Sequence, residues 1–306
     1  MARNLWYVLA CALGVISCNQ PFAPDAPGNS RLVMYSILNV EQGTQYVRLQ
    51  STYPTDPGPP LRDATVRMKF TGGVVQFRDT VIERVSASGT MEKLDVYVAN
   101  GVSVKKNQSY VLEAITPSGL SAQATATALA LPDLYIKNRG ALDKGGKGAI
   151  TLAASFGSAT GAWEMHFSIE FYALINGGWE LRREEVPLKQ YYDNGGTLVK
   201  VYSRLSPVPS WVSLDVPLVV EFDTLMYNDT RRRISQAYPA APVVYMYAVF
   251  SLTQVDNTLY SYYYIANGTE DKTSIRLDTP EFTNITGGVG VFGSCARVYE
   301  RFTLRE

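Results

Sequence analysis

Along most of this chain apolar and polar residues alternate with a period of two, and turn residues interrupt the alternation every ten residues or so. Ala64-Thr65-Val66-Arg67-Met68-Lys69-Phe70 places Ala64, Val66, Met68 and Phe70 on one face, because successive side chains of a strand point to opposite sides. Gly72-Gly73 then turns the chain into Val74-Val75-Gln76-Phe77-Arg78. With Leu32 to Leu38, Gln45 to Gln50, Leu94 to Val98, Tyr110 to Thr116 and Ser121 to Ala126, seven short strands precede Leu131-Pro132. This pattern predicts an all-β fold whose first part, residues 31–132, is an immunoglobulin- or transthyretin-like β-sandwich.

A second β-rich domain is expected over 133–306. Trp163 to Tyr172 alternates most clearly, and Asn176-Gly177-Gly178 closes a hairpin into Trp179 to Arg183. Strands are also expected at 134–136, 150–154, 197–202, 218–222 and 243–252, the last nearly all apolar or aromatic and hence central. At most one or two short helices are expected, the best candidate being Val255 to Ala266. Arg231-Arg232-Arg233, beside the polar stretch Tyr227 to Thr230, reads as a solvated loop.

The N-terminal segment follows a different logic. Met1-Ala2-Arg3-Asn4 carries one positive charge, and Leu5 to Ile16 is an apolar run too short to span a bilayer. It ends in Val15-Ile16-Ser17-Cys18, which has the form of a bacterial lipobox. Residues 1–17 are thus expected to be a lipoprotein signal peptide, with Cys18 acylated. Residues 18–30, rich in proline and polar side chains, are expected to form a lipidated tether. Acyl chains contribute about 0.8 kcal/mol per buried methylene, so two or more anchor a protein stably. The expected location is the outer membrane, lipid-anchored, with the leaflet left open.

Composition narrows the function. The chain has 28 basic and 28 acidic residues, and no basic footprint points to nucleic acid. Of three cysteines, Cys11 would leave with the leader and Cys18 would carry lipid, so Cys295 has no partner for a disulfide. Tyrosine is abundant, at 20 residues, which suits half-buried sheet faces and binding surfaces alike.

Motifs for catalysis are sparse. Gly288-Val289-Gly290-Val291-Phe292-Gly293 has the spacing of a dinucleotide fingerprint but lacks the following helix, strand and acidic residue. It is expected to pack as a turn or strand edge against the second domain. His166, the only histidine, shares a face with Glu164, Ser168 and Glu170. A metal site or a serine–histidine pair there is weighed against an exposed histidine, which is the simpler reading. No catalytic residue, metal ligand or cofactor site is assigned, and no enzyme activity is expected. Trp163 belongs to an apolar row with Met165 and Phe167 and is expected in the core. Trp179, Trp211, Tyr191 and Tyr192 lie near turns and are the candidate ligand-binding aromatics, for a glycan or peptide. Asp79-Thr80-Val81 and Asp223-Thr224-Leu225 have the form of O-glycosylation sites.

Three segments together resemble a family of Bacteroidota lipoproteins classed only as a domain of unknown function. They are Cys18 to Leu38; Ala64-Thr65-Val66 with the later Tyr110-x-Leu112 and Pro117-Ser118-Gly119; and Phe282 to Gly293 near the C-terminus. Such lipoproteins are typically associated with TonB-dependent outer-membrane receptors. The resemblance implies a ligand-binding or accessory role in nutrient uptake and carries over no catalytic residue. The alternatives are a structural or adhesive envelope protein and, third, a glycan hydrolase. Asn19-Gln20 follow the cysteine where surface-displayed members often have acids, so the resemblance does not imply outer-leaflet display.

Overall fold

A computed structural model describes residues 31–52, 60–85, 89–142, 149–186, 190–194, 197–201, 206–208, 217–239, 241–266 and 282–304. Cys18 and Trp211 lie outside these residues.

The first part of the chain holds eight strands: β1 (Leu32–Asn39), β2 (Gln45–Ser51), β3 (Thr65–Phe70), β4 (Gly73–Gln76), β5 (Arg78–Val85), β6 (Met91–Ala99), β7 (Ser109–Ile115) and β8 (Ser121–Thr127). Sequence reasoning missed β5, because nearly all its side chains are exposed and no buried face imposes alternation. Next come β9 (Asp133–Lys137), a 3₁₀ turn at Arg139–Leu142, β10 (Ala149–Ser155), β11 (Thr160–Ile175) and β12 (Gly178–Glu185). They are followed by β13 (Gln190–Asn194), β14 (Thr197–Val201), β15 (Ser206–Pro207) and β16 (Leu218–Asp223). Helix α1 (Thr224–Ala237), β17 (Val243–Asp256), helix α2 (Asn257–Ala266) and β18 (Gly288–Thr303) complete the chain. The fold is all-β and sandwich-like, as expected.

Three sheets organise these strands. A nine-stranded sheet runs β12-β11-β17-β18-β1-β2-β6-β5, with β15 beside β11. A four-stranded sheet, β4-β3-β7-β8, shares one core with its β1–β2 half, built on Leu32, Met34, Leu49, Met68, Tyr110 and Leu112. A five-stranded sheet, β14-β13-β16-β10-β9, shares a second core with its β11–β17 half. There Phe167 stacks on Phe250 at 4.2 Å between centroids, and Trp163 is buried with Met165 as expected.

The first core draws mainly on residues up to Ala128 but also takes in Ile285 and Phe292, and the long sheet spans both cores. Strand β18 joins them. Its first half runs parallel to β1 from Leu32↔Gly288 to Asn39↔Cys295. Its second half runs antiparallel to β17 from Val255↔Cys295 to Tyr247↔Thr303. Arg31–Glu306 accordingly forms one compact unit. The glycine-rich segment is therefore a strand with one open edge, as expected, but it packs on the first sandwich and not against the second domain. Over 288–294 it pairs with β1 on one side and has no strand partner on the other among the described residues.

That segment explains its own composition. Gly290 has φ +114°, and a Cβ there would overlap the Met34 carbonyl on the neighbouring strand. Just upstream, Asn284 replaces a missing strand neighbour. Its Nδ2 donates to Phe292 O at 2.7 Å, and its Oδ1 accepts from Phe292 N at 3.0 Å. Thr286 pairs with Gln123 of β8 through two backbone bonds, so the segment also laces the small sheet to the large one.

The helices differ from expectation in an instructive way. Helix α2 starts two residues later than read, because Val255 and Asp256 complete β17. Helix α1 replaces the expected loop around Arg231-Arg232-Arg233. Its buried residues are Thr224, Tyr227, Thr230 and Ile234, a helical stripe that two threonines conceal from a hydrophobicity reading. Asp223 caps it, accepting from Leu225 N at 2.8 Å. Asn176 and Gly177, at φ 50° and 81°, form the expected tight hairpin turn between β11 and β12.

Candidate functional site

The long sheet buries one face in the two cores. Over β12, β11, β17 and β18 the opposite face carries the polar half of each alternation. Register aligns it row by row. Glu164, Thr253 and Arg297 form one row across three strands, and His166, Ser251 and Tyr299 the next. Glu185, Ser168, Val249 and Arg301 follow, then Arg183, Glu170 and Tyr247. His166, Ser168, Arg183, Glu185, Ser251, Arg297 and Tyr299 line a groove of about 370 Å³ on this face.

Each side chain of the groove is held from the side. His166 Nδ1 lies 2.8 Å from Glu185 Oε1 and its Nε2 lies 3.1 Å from Glu164 Oε1, so both ring nitrogens face carboxylates. Arg183 donates from Nε to Ser168 Oγ at 2.7 Å, and Ser168 donates onward to the Val249 carbonyl at 3.5 Å. Arg297 repeats the device on the opposite wall. Its Nε donates to Thr253 Oγ1 at 2.7 Å and its Nη1 to the Tyr299 hydroxyl at 3.1 Å. Ser251 forms the floor, 6% exposed, and its hydroxyl has no hydrogen-bond partner among the described residues. Beside the groove, Arg301 pairs with the buried Glu170 and lies over the Tyr247 ring at 4.5 Å.

Arg62, Arg67, Arg84, Arg182, Arg232, Arg233 and Arg301 each have a carboxylate partner. Arg183 and Arg297 have none within ion-pair distance among the described residues, as holds also for Arg31, Arg48, Arg78, Arg139 and Arg231, but these two are fixed on hydroxyls within one groove.

Of the aromatics singled out from sequence, Trp179 belongs to this face. It is 52% exposed, shares its side of β12 with Arg183 and Glu185, and sits at the hairpin end. Leu181, Tyr172 and Val244 form a row of exposed apolar side chains across β12, β11 and β17 next to it. Tyr191 and Tyr192 lie on β13, opposite Glu221 and Val220 of β16, in the five-stranded sheet rather than the groove's. The groove's arginines and Tyr299 were not foreseen, because strand pairing alone brings Arg297 opposite Thr253.

Two sequence readings are resolved by position. His166, Glu164 and Glu170 do not converge, since Glu170 turns to Arg301, and no metal-binding cluster of three or more His, Cys, Asp or Glu occurs among the described residues. Thr224 is 6% exposed inside the α1 cap, which is no place for a glycan, whereas Thr80 is exposed on β5.

A second polar cluster lies where β17 meets β18. Asp256 accepts from Leu259 N and from Ser294 N, each at 2.8 Å, while Ser294 Oγ accepts from Leu129 N at 3.1 Å. Burial raises the Asp256 carboxyl above its ordinary value, against the lowering effect of these backbone donors. Next to it, burial first and then the Glu41 carboxylate push the Cys295 thiol up to about 11. The cluster ties the inter-core link to the shared sheet, a structural role.

Residues 19–301 match the family described as a domain of unknown function, DUF4249, and the chain belongs to that family. A search of curated proteins finds no match. No helix among the described residues is long and apolar enough to cross a membrane.

Proposed function

We propose that this is a lipid-anchored cell-envelope protein that binds a ligand on the outer face of its long sheet, as an accessory or binding subunit of a TonB-dependent uptake system. The observation that carries the binding role is the groove, whose two arginines are held by hydroxyls and have no carboxylate within ion-pair distance among the described residues. Recognition sites are concave and set a few fixed polar groups beside apolar or aromatic surface, as the groove does beside Trp179 and Tyr172. The chemistry of the groove favours recognition over catalysis. His166 is held by Glu164 and Glu185 instead of activating Ser168, whose hydroxyl is donated to a backbone carbonyl. The envelope location rests on the lipobox ending at Cys18, and the uptake role on the resemblance to Bacteroidota lipoproteins.

Two experiments test this reading. Cys18→Ala is expected to shift the protein from the outer-membrane fraction to the soluble periplasm or to an uncleaved precursor. Recovery of the variant in the outer membrane at the unaltered level rules the anchor out. Affinity purification of the tagged chain from native outer membranes is expected to bring down a TonB-dependent receptor. Purification without a receptor favours the structural or adhesive alternative.

A further inference from the structure

We infer that the groove on the outer sheet face takes an acidic sugar, with the ligand's anionic group between Arg183 and Arg297 and its hydroxyls on Ser251, Ser168 and Tyr299. The inference rests on the binding role proposed above and specifies the ligand class of the same site.

Three observations carry it. The first is charge. Arg183 and Arg297 stand on opposite walls, and neither has a described carboxylate within ion-pair distance, with Glu41 acting on Arg297 only from farther away. Each is fixed through Nε on a hydroxyl, Ser168 for one and Thr253 for the other. Fixing Nε sets the plane of the guanidinium and, among the described residues, leaves both Nη groups of Arg183 and Nη2 of Arg297 to donate. Such a pre-oriented fork suits carboxylate or sulfate better than a mobile ammonium would.

The second is the floor. The Ser251 hydroxyl is nearly buried, lines the groove and has no protein partner among the described residues. Its oxygen opens into the groove, so it offers a ligand hydroxyl both a donor and an acceptor. Tyr299, 55% exposed, adds a phenol and a ring face on the same wall.

The third is the lining of the face itself. Beneath the groove the strands β12, β11, β17 and β18 pair with one another in continuous ladders. Over the groove β11 and β17 are paired on both sides, so an added strand pairs only at the outer edges of β12 and β18 and not on the face between them. A ligand is held by side chains alone: guanidinium, hydroxyl, carboxylate and imidazole. Those are the groups that read the hydroxyls and acid of a sugar. A volume of about 370 Å³ accommodates roughly one or two sugar rings. Trp179 and Tyr172, farther along the same face, offer stacking surface for the rest of an oligosaccharide.

The test is titration calorimetry of the purified full-length protein with four probes: an oligogalacturonate, a sulfated galactan oligosaccharide, a neutral galactan oligosaccharide and a glutamate-rich peptide. Saturable binding of an acidic sugar is expected, weaker at high salt. Arg183→Gln and Arg297→Gln are each expected to weaken it about tenfold or more, and Ser251→Ala by less. Arg84→Gln, whose surface ion pair with Glu92 is remote from the groove, is expected to leave it unchanged. Preference for the galacturonate or for the sulfated sugar identifies the anion as carboxylate or sulfate. Equal binding of the neutral sugar overturns the role of the arginines. Binding of the peptide alone overturns the sugar class while leaving a binding protein. If no acidic sugar binds, the inference is wrong, and receptor co-purification then judges the uptake role separately.

Discussion

At the residue scale, the C-terminal motif is held by single side chains doing the work of a strand. Asn284 satisfies both backbone groups of Phe292, which is buried in the first core. Asn284→Ala leaves a buried N–H and C=O without partners, so it is expected to destabilise the fold by about 2 kcal/mol or more, read as a lower urea midpoint. Asn284→Asp keeps the acceptor and loses the donor, and is expected to fall between. Cys295 yields a second prediction at this scale. With its thiol raised from 9.0 to about 11, chiefly by burial, little thiolate exists at pH 8. Alkylation at pH 8, followed by mass spectrometry of the Cys295 peptide, is expected to be slow in the native protein and fast in urea. The sign for stability follows. The folded state holds this proton more tightly, so the contribution of Cys295 falls as pH rises between 9 and 11. Fast native alkylation contradicts the burial account.

Elements show how little of a segment's fate is visible in its polarity. Helix α1 is polar on most of its surface and carries three consecutive arginines, yet Tyr227 and Ile234 reach the second core. Tyr227 also stacks on Phe167 at 5.8 Å and donates to the Leu142 carbonyl at 3.0 Å. On the outer side Arg233 joins Asp229 and Glu184, exposed pairs that add little. The Asp223 cap matters more. Asp223→Ala is expected to lower stability by about 1 kcal/mol, seen as a drop in melting temperature. An unchanged melting temperature means that packing alone holds the helix end. Strand β5 is the converse case. Its ladder with β6 runs from Arg78↔Val98 to Val85↔Met91, but β6 meets β2 only over Tyr97 to Ala99. Much of this hairpin therefore lacks a second neighbour, and cross-strand pairs such as Arg84–Glu92 and Lys93–Glu83 keep its exposed surface charged.

For the whole molecule, two cores and one shared sheet have a thermodynamic consequence. Independent sandwiches would melt separately. Here β18 contributes Phe292 to the first core, while its second half pairs along β17, which carries Phe250 of the second. Unfolding either half strips one side of the same strand. Calorimetry is therefore expected to show a single transition, with the β18 amides among the slowest to exchange. Two resolved transitions indicate that the sandwiches are coupled only weakly. The same strand ends beneath the groove at Arg297, Tyr299 and Arg301, so a destabilised β18 is expected to lose the binding surface together with the fold.

The local signals in the sequence are those that depend on one strand or one turn at a time. Alternation at 163–172 marks which side chains of β11 face the core, because a two-residue period leaves no choice once one face is buried. Asn176-Gly177 specifies its hairpin because both positions need positive φ. Trp163 and the central place of β17 follow from the same reasoning. The neighbours of β18 are another matter. Its glycines announce close backbone approach, but a parallel pairing with β1, more than 240 residues away, leaves no periodic trace in either segment. The candidate site was legible only in part for the same reason. His166, Glu164 and Ser168 are on one strand and share a face by arithmetic. Glu185, Ser251 and Arg297 join them through inter-strand registers, and backbone hydrogen bonds are alike at every residue. Register is decided by how the two cores pack, so the groove exists only once the sheet is assembled.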